Sequence, residues 1–203
     1  MNDINRKEQT TIGHYENNAE AFWAGTKDHD VSQNIEAFLA ALATNKSLDI
    51  LDLGCGPGRD LLRLKSLGHN PVGLDGSAKF CTMATEHSGC PTLNQTFVNM
   101  DLPDASFDGV FANASLFHVP STELLNVLRK LHACLRPGGI LFTSNPRGST
   151  EGWQGQRYGH YLELDASKAF LEQAGFELLE HYYRPTGKPI AQQPWLAIVS
   201  RRL

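Results

Sequence analysis

The chain has no apolar run approaching the roughly 20 residues that a helix needs to span a bilayer, which disfavours a protein embedded in membrane. Its first ten residues, Met-Asn-Asp-Ile-Asn-Arg-Lys-Glu-Gln-Thr, lack the apolar centre of a secretory signal and are too acidic and polar for a transit peptide. A soluble, cytoplasmic protein is the resulting expectation. Cysteine is scarce: Cys55, Cys81, Cys90 and Cys134 form no C-x-x-C pair and have no histidines at zinc-finger spacing, so reduced thiols without a structural metal are expected. A surplus of positive charge is missing as well. With a formal net charge of −4 and basic residues scattered except at Arg201 and Arg202, the chain offers no global attraction to phosphate backbones, which disfavours nucleic acid as a partner. Internal repeats and low-complexity tracts are absent too, which excludes solenoids and arrays.

What is present is an ordinary globular composition, 41% hydrophobic and 20% charged over 203 residues, enough for one domain with a continuous core. From about Asp49, short apolar runs alternate with helical patterns, the signature of parallel strands joined by crossover helices. Strands are expected near Asp49 to Gly54, Pro71 to Asp75, Thr92 to Val98, Phe107 to Asn113 and Gly139 to Ser144. Helices begin near Arg59, Ser77 and Thr122, with Ser77 and Ser121 as caps, and Leu135-Arg136-Pro137-Gly138-Gly139 reads as a helix stop and turn. A further helix spans Asp165 to Ala174. The runs Phe176 to Tyr183 and Trp195 to Val199 then lie too close together for a crossover and read as an antiparallel pair. Helical spacing at Tyr15 to Trp23 and Val31 to Leu42 predicts a cap before the first strand. The expected fold class is α/β: a seven-stranded, mostly parallel sheet with helices on both faces, an antiparallel C-terminal hairpin and an N-terminal helical lid.

Chemistry concentrates in Leu51-Asp52-Leu53-Gly54-Cys55-Gly56-Pro57-Gly58-Arg59-Asp60. A strand-loop-helix turn with Gly54, Gly56 and Gly58 lets backbone approach a ligand, although a Gly-rich turn without a ligand is the plain alternative. Asp75, at the end of the next strand, is placed to accept both hydroxyl protons of a ribose, or alternatively caps a helix that Ser77 caps better. In the dinucleotide fingerprint G-x-G-x-x-G, the sixth position from Gly54 is Arg59, too bulky for close helix-strand packing, and the phosphate-binding G-x-x-x-x-G-K-[ST] is missing.

Leu51 to Asp60, Val72 to Ser77, Leu102-Pro103 with Ser106-Phe107-Asp108, and Leu135 to Gly139 together resemble the successive motifs of class I, Rossmann-like S-adenosylmethionine-dependent methyltransferases. Tyr15-Glu16-Asn17-Asn18-Ala19-Glu20-Ala21-Phe22-Trp23 resembles the lid helix of their small-molecule branch. The resemblance implies S-adenosylmethionine as cofactor and a direct displacement at its sulfonium. It implies a methionine site along Gly54, Gly56 and Arg59 under Tyr15, the ribose on Asp75 flanked by Gly76 and Ser77, and Asn113 and Ala114 along the cofactor. Family members often carry an acid after the third strand for the adenine amino group. Thr96, before Phe97, stands in that place here, and Asp101 is the alternative acid. His118 resembles a family histidine and is a catalytic candidate, with packing between helix and sheet as the other reading. The resulting organisation is one domain over 1–203, with a lid over 1–47, a cofactor core over 48–145 and an acceptor-side loop and closing hairpin over 146–203.

The acceptor is sought where the carboxyl ends of the strands meet the lid, in Lys27 to Asp30, Ser144 to Arg147 and Trp153 to Tyr161. Arg147, Tyr158 and His160 are the catalytic or acceptor-side candidates there; Arg147 suits a carboxylate, or is a solvated loop residue. Asp28, His29 and Asp30 read as helix-capping acids beside an exposed histidine rather than as metal ligands. The base-methylating signatures N-P-P-Y and Pro-Cys are absent, so a small-molecule thiol, carboxylate or amine is the expected acceptor, with RNA or protein as the alternative and a non-catalytic nucleoside-binding module as a third reading.

Overall fold

In the computed structural model, which describes residues 3–42 and 46–203, the chain opens with three helices, α1 (Asp3–Asn17), α2 (Ala19–Thr26) and α3 (Ser32–Leu42). Strands and helices then alternate: β1 (Asp49–Leu53), α4 (Arg59–Ser66), β2 (Asn70–Asp75), α5 (Ala78–Ser88), β3 (Thr92–Asn94), β4 (Phe107–Asn113), α6 (Ser121–Cys134) and β5 (Leu135–Pro146). A small hairpin of β6 (Glu151–Gln154) and β7 (Arg157–His160) follows, then α7 (Leu164–Gln173), β8 (Phe176–Arg184) and β9 (Trp195–Arg202). The main sheet has seven strands in the order β3-β2-β1-β4-β5-β9-β8. Pairs from β3 to β5 are parallel, and β9 runs antiparallel to both β5 and β8. This is the expected α/β fold. The range 1–47 read as a lid includes residues 1–2 and 43–45, which lie outside the described residues.

Side chains alternate across the central strands and build a core on each face. On β4, Val110 and Ala112 pack with Leu124, Val127 and Leu131 of α6, whereas Phe111 faces the other way, against α3. There the Phe38 ring lies 5.4 Å from Phe111, which stacks on Phe142 at 4.9 Å. All three rings are fully buried, and truncating one to alanine costs about 3–5 kcal/mol. The four cysteines are buried and unbridged.

Four local expectations need correction. The third strand ends at Asn94 rather than Val98, because the chain turns: Gln95 Oε1 accepts the Asp101 N–H at 2.9 Å and Thr96 Oγ1 accepts the Asn99 N–H at 3.3 Å. Phe97 and Val98 are apolar because they pack on the core from that turn, not because they belong to a strand. The Pro-Gly-Gly turn lies inside β5, where the register with β4 jumps from Phe107↔Leu135 to Gly109↔Ile140; Arg136 thereby reaches Asp49 and Asp108 at 2.9 Å each. Ser121 does not cap α6 with its side chain; its own N–H is capped by Glu151 at 2.9 Å. Finally, the Gly-rich stretch after β5 contains the β6–β7 hairpin, whose strands are too short for periodicity to reveal.

Candidate active site

The sheet order places β1 between β2 and β4, so crossover connections leave β1 and β4 in opposite directions and open a crevice at their carboxyl ends. A cavity of about 650 Å³ fills that crevice beneath α1 and α2, within the size range of small-molecule sites.

Its floor is the loop between β1 and α4. Gly54 has φ +75°, and a Cβ there would collide with Ser115 and lie 3.2 Å from the Phe97 ring. Gly58, with φ +91°, begins α4 and would press a Cβ to 2.8 Å from the backbone of Ala84 in α5. These two glycines therefore serve the fit of the loop to its own protein, while Gly56 leaves its amide near the cavity. Asp75 fixes that amide: its Oδ2 accepts the Gly56 N–H at 3.0 Å, and its Oδ1 accepts the Ser77 N–H at 2.9 Å. Each oxygen keeps capacity for a further donor, the arrangement that a pair of vicinal hydroxyls requires. Burial pushes the Asp75 carboxyl up to about 6 against the pull of those amides. Ser77 caps α5 by accepting the Phe80 N–H at 3.1 Å.

Tyr15 of α1 and His118 form the wall beyond. The Tyr15 hydroxyl and His118 Nε2 lie 2.8 Å apart, and His118 Nδ1 lies 2.7 Å from the Tyr158 carbonyl oxygen. A carbonyl only accepts, so Nδ1 carries the proton and Nε2 receives the Tyr15 O–H. Burial lowers His118 to about 4, which keeps the ring neutral. The Tyr15 phenol is itself raised by burial, with Arg157 pulling in the opposite direction. Phe22 and Phe80 complete an aromatic wall, their ring centroids 5.5 and 5.9 Å from Tyr15.

A chain of polar groups braces this site from behind. Tyr182 donates to Asn34 Oδ1 at 2.9 Å, Asn34 donates to Asn113 Oδ1 at 3.0 Å, and Asn113 donates to Asp60 Oδ2 at 3.2 Å. Asp60 in turn receives two N–H donors of Arg59, at 2.7 and 2.9 Å, while the third reaches the Thr26 carbonyl at the end of α2. Arg59 thus ties the loop to the lid with its charge matched. Ala114, at φ +61°, holds a backbone conformation unfavourable to a non-glycine residue, and its N–H donates to the Ser144 carbonyl at 2.7 Å.

Tyr15, Gly54, Gly56, Arg59, Asp75, Gly76, Ser77, Thr96, Phe97, Asn113, Ala114 and His118 all line the one cavity. Arg147, Tyr158 and His160 do not. Arg147 is taken by Glu163 at 3.1 Å and lies over the Tyr183 ring. Tyr158 is buried, with its hydroxyl on Glu151 at 2.9 Å, and acts on the site through its backbone carbonyl. His160 lines a smaller cavity beside Phe170 and Leu171. Asp101 is exposed outside the main cavity, and Asp30 caps α3 by accepting the Ser32 N–H at 2.9 Å. Sequence reasoning missed Glu8, Ser115, Phe80 and Trp195, which also line the cavity; Arg157 was legible only as part of a polar, aromatic stretch.

These residues fit S-adenosylmethionine. Asp75 presents two fixed acceptors for ribose hydroxyls, Gly56 leaves the floor free of a side chain, and the buried Ser115 hydroxyl at that floor has no hydrogen-bond partner among the described residues. Asp75, Gly76 and Ser77 would hold the ribose, and Gly56, Arg59 and Tyr15 the methionine portion.

Comparison with known proteins agrees. Residues 51–143 match the family described as "Methyltransferase domain". A sterol 24-C-methyltransferase of Neurospora crassa is 25% identical over 169 residues, covering 72% of this chain and 44% of that protein. One from Yarrowia lipolytica is 31% identical over 132 residues, covering 60% and 32%. The chain thus spans less than half the length of these two curated relatives. Among solved structures, the 1,6-didemethyltoxoflavin-N1-methyltransferase of Burkholderia thailandensis, with bound 1,6-didemethyltoxoflavin and S-adenosylhomocysteine, superposes with a TM-score of 0.82 at 19% identity, covering 100% of this chain and 91% of that one. The magnesium protoporphyrin IX methyltransferase of Synechocystis PCC 6803, with bound S-adenosylmethionine, gives 0.76 at 15% identity and full coverage of both, so the common ground with these two is the fold. Residues 51–143 thus match the methyltransferase-domain family, and the two solved neighbours share this chain's fold.

Proposed function

We propose that this protein transfers a methyl group from S-adenosylmethionine to a small-molecule nucleophile by in-line displacement, with Tyr15 and His118 at the reacting end. The observation that carries this reading is the 2.8 Å bond from the Tyr15 hydroxyl to Nε2 of His118, in the same cavity as the Asp75 and Gly56 cradle. When bound, the cofactor supplies an electrophilic methyl on a sulfonium, so the chain's own work is to orient the acceptor and exclude water. α1 and α2 cover the cavity and serve the second task. Arg157, Phe117 and Trp195 line it together with His118 and offer the acceptor a cation and two aromatic faces.

His118 narrows the choice of nucleophile. A ring held near 4 is a weak base, so the pair suits an acceptor that arrives with a lone pair, such as a carboxylate, a thiolate or a neutral amine. An amine must then lose a proton after methylation. A ring near 4 cannot hold that proton, so it passes to water as the product leaves, and Tyr15 and His118 serve to position the acceptor.

The relatives named above include enzymes that act on sterols, and one solved neighbour holds a small heterocycle, which supports a small-molecule acceptor. The lid over 1–47, the cofactor core over 48–145 and the acceptor side over 146–203 divide the labour in this reading. No described helix is long and apolar enough to cross a membrane, and we place the enzyme in the cytoplasm. The test is calorimetric titration with S-adenosylmethionine, with NAD as control, followed by a screen of carboxylates, thiols and amines for release of S-adenosylhomocysteine. Binding of NAD in place of S-adenosylmethionine, or turnover confined to RNA or protein, would overturn it.

A further inference from the structure

One acid in the cavity has no role in the scheme above. Glu8 of α1 lines the cavity, and its Oε1 accepts the Val98 N–H at 3.3 Å across 90 residues of chain. The Thr96 hydroxyl also supports the carboxylate, against the upward pull of burial. Val98 is itself held from the far side, because Lys130 Nζ donates to its carbonyl at 2.7 Å and to that of Met100 at 3.0 Å. The amide that Glu8 accepts is therefore fixed.

Glu8, Ile12 and Tyr15 follow one another at helical spacing and line the cavity from one face of α1. From Glu8 to Tyr15 that face runs about 10 Å along the helix axis. Tyr15 meets His118 at one end. Glu8 meets the turn after β3 at the other, and between them Ile12 packs on Gly76, 2.6 Å from where a Cβ would stand.

A nucleoside whose ribose rests on Asp75 and whose amino-acid tail runs toward Tyr15 must direct its base the other way, toward Thr96, Phe97 and Glu8. The 6-amino group of adenine is a hydrogen donor and needs an acceptor there. Phe97 and Ile12 are apolar. Thr96 Oγ1 already accepts from the Asn99 backbone at 3.3 Å and from its side chain at 3.2 Å. The Glu8 carboxylate has about four lone-pair sites and receives Val98 and Thr96, so it keeps capacity to accept a further donor. We propose that Glu8 reads the 6-amino group of the cofactor's adenine, so that the lid helix, and not the sheet alone, completes cofactor recognition. This inference rests on the methyl-donor reading of the cavity.

The test needs no acceptor. The full chain is titrated calorimetrically with S-adenosylhomocysteine and with S-inosylhomocysteine, which replaces the 6-amino group by oxygen. Wild type should bind the amino compound at least about 30-fold more tightly, the size expected for a hydrogen bond to a charged group. In Glu8→Gln, an amide that can turn either its oxygen or its NH₂ to the base, the preference should fall below about threefold. Equal affinity of wild type for both compounds overturns the proposal without reliance on any variant. So does an unchanged preference in Glu8→Gln. If wild type binds neither compound, the methyl-donor reading itself fails and takes this inference with it.

Discussion

The Tyr15 hydroxyl donates to Nε2 of His118 at 2.8 Å, joining two residues 103 positions apart in the sequence. Because the His118 tautomer is set by the Tyr158 carbonyl, the direction of that hydrogen bond is set as well. Tyr15→Phe removes the proton-bearing contact while leaving the ring in place. With the acceptor found by screening, kcat should fall about 10²-fold, and S-adenosylhomocysteine should still bind within about threefold of wild type. Adding His118→Gln should then cost little more, because the two residues act as a unit. Additive losses in the double variant would mean that they act separately.

Two buried titrations oppose each other. His118 sits near 4 in the fold against about 6.5 in an unfolded chain, so the unfolded state binds the extra proton between those values. Its contribution to stability is complete above about 6.5 and is lost as the pH falls toward 4. Asp75 sits near 6 against about 3.9 unfolded, so the folded state holds that proton, and its contribution is lost as the pH rises from about 4 to 6. Each slope is at most about 1.4 kcal/mol per pH unit. Urea unfolding between pH 4.5 and 6 should give a more positive slope than wild type for Asp75→Asn and a more negative one for His118→Gln. Shifts of the same sign in both variants would remove one assignment.

Asn34 is fully buried and links Tyr182 to Asn113. Asn34→Leu strands a hydroxyl and an amide oxygen together, and unfolding free energy should drop by about 2–4 kcal/mol. The displaced Asn113 should also weaken S-adenosylhomocysteine binding several-fold through Asp60 and Arg59. Stability lost with cofactor affinity intact would show that the brace is only architectural.

Arg147 and Arg157 are ten positions apart and differ in their surroundings. Arg147 is paired with Glu163 and covers Tyr183, whereas Arg157 faces the cavity beside Tyr15. Arg147→Ala should leave the acceptor KM within about twofold of wild type. Arg157→Gln should raise it about tenfold or more for an anionic acceptor, the order expected for a charge-assisted contact. Steady-state kinetics of the two variants side by side decides between them.

The parts that read directly from the sequence are those in which neighbouring residues do neighbouring work. The loop from Gly54 to Arg59, Asp75 with its following Ser77, and the alternation of strands and helices are local patterns, and the cavity forms where they predict it. Glu8 was invisible for the opposite reason: what makes it a candidate is Val98, and no spacing rule links a second-turn acid of one helix to a turn after the third strand. Arg147 misled because it follows the fifth strand, where ligand-binding residues gather, while its actual partners, Glu163 and Tyr183, come from segments farther along the chain. β6 and β7, four residues each, are too short to carry a periodic pattern and left only a Gly-rich stretch to read.

Tyr158 donates its N–H to Thr11 Oγ1 at 2.9 Å, 147 residues away, and lends its carbonyl to His118. On the ribosome, α1 therefore emerges well before the residue that anchors it. At about 5–20 residues per second, that interval is roughly 7–30 s. Throughout it the helix carrying Glu8 and Tyr15 waits without its anchor. One wall of the binding site is thus made first, yet is secured only after the five parallel strands β1 to β5 have followed it.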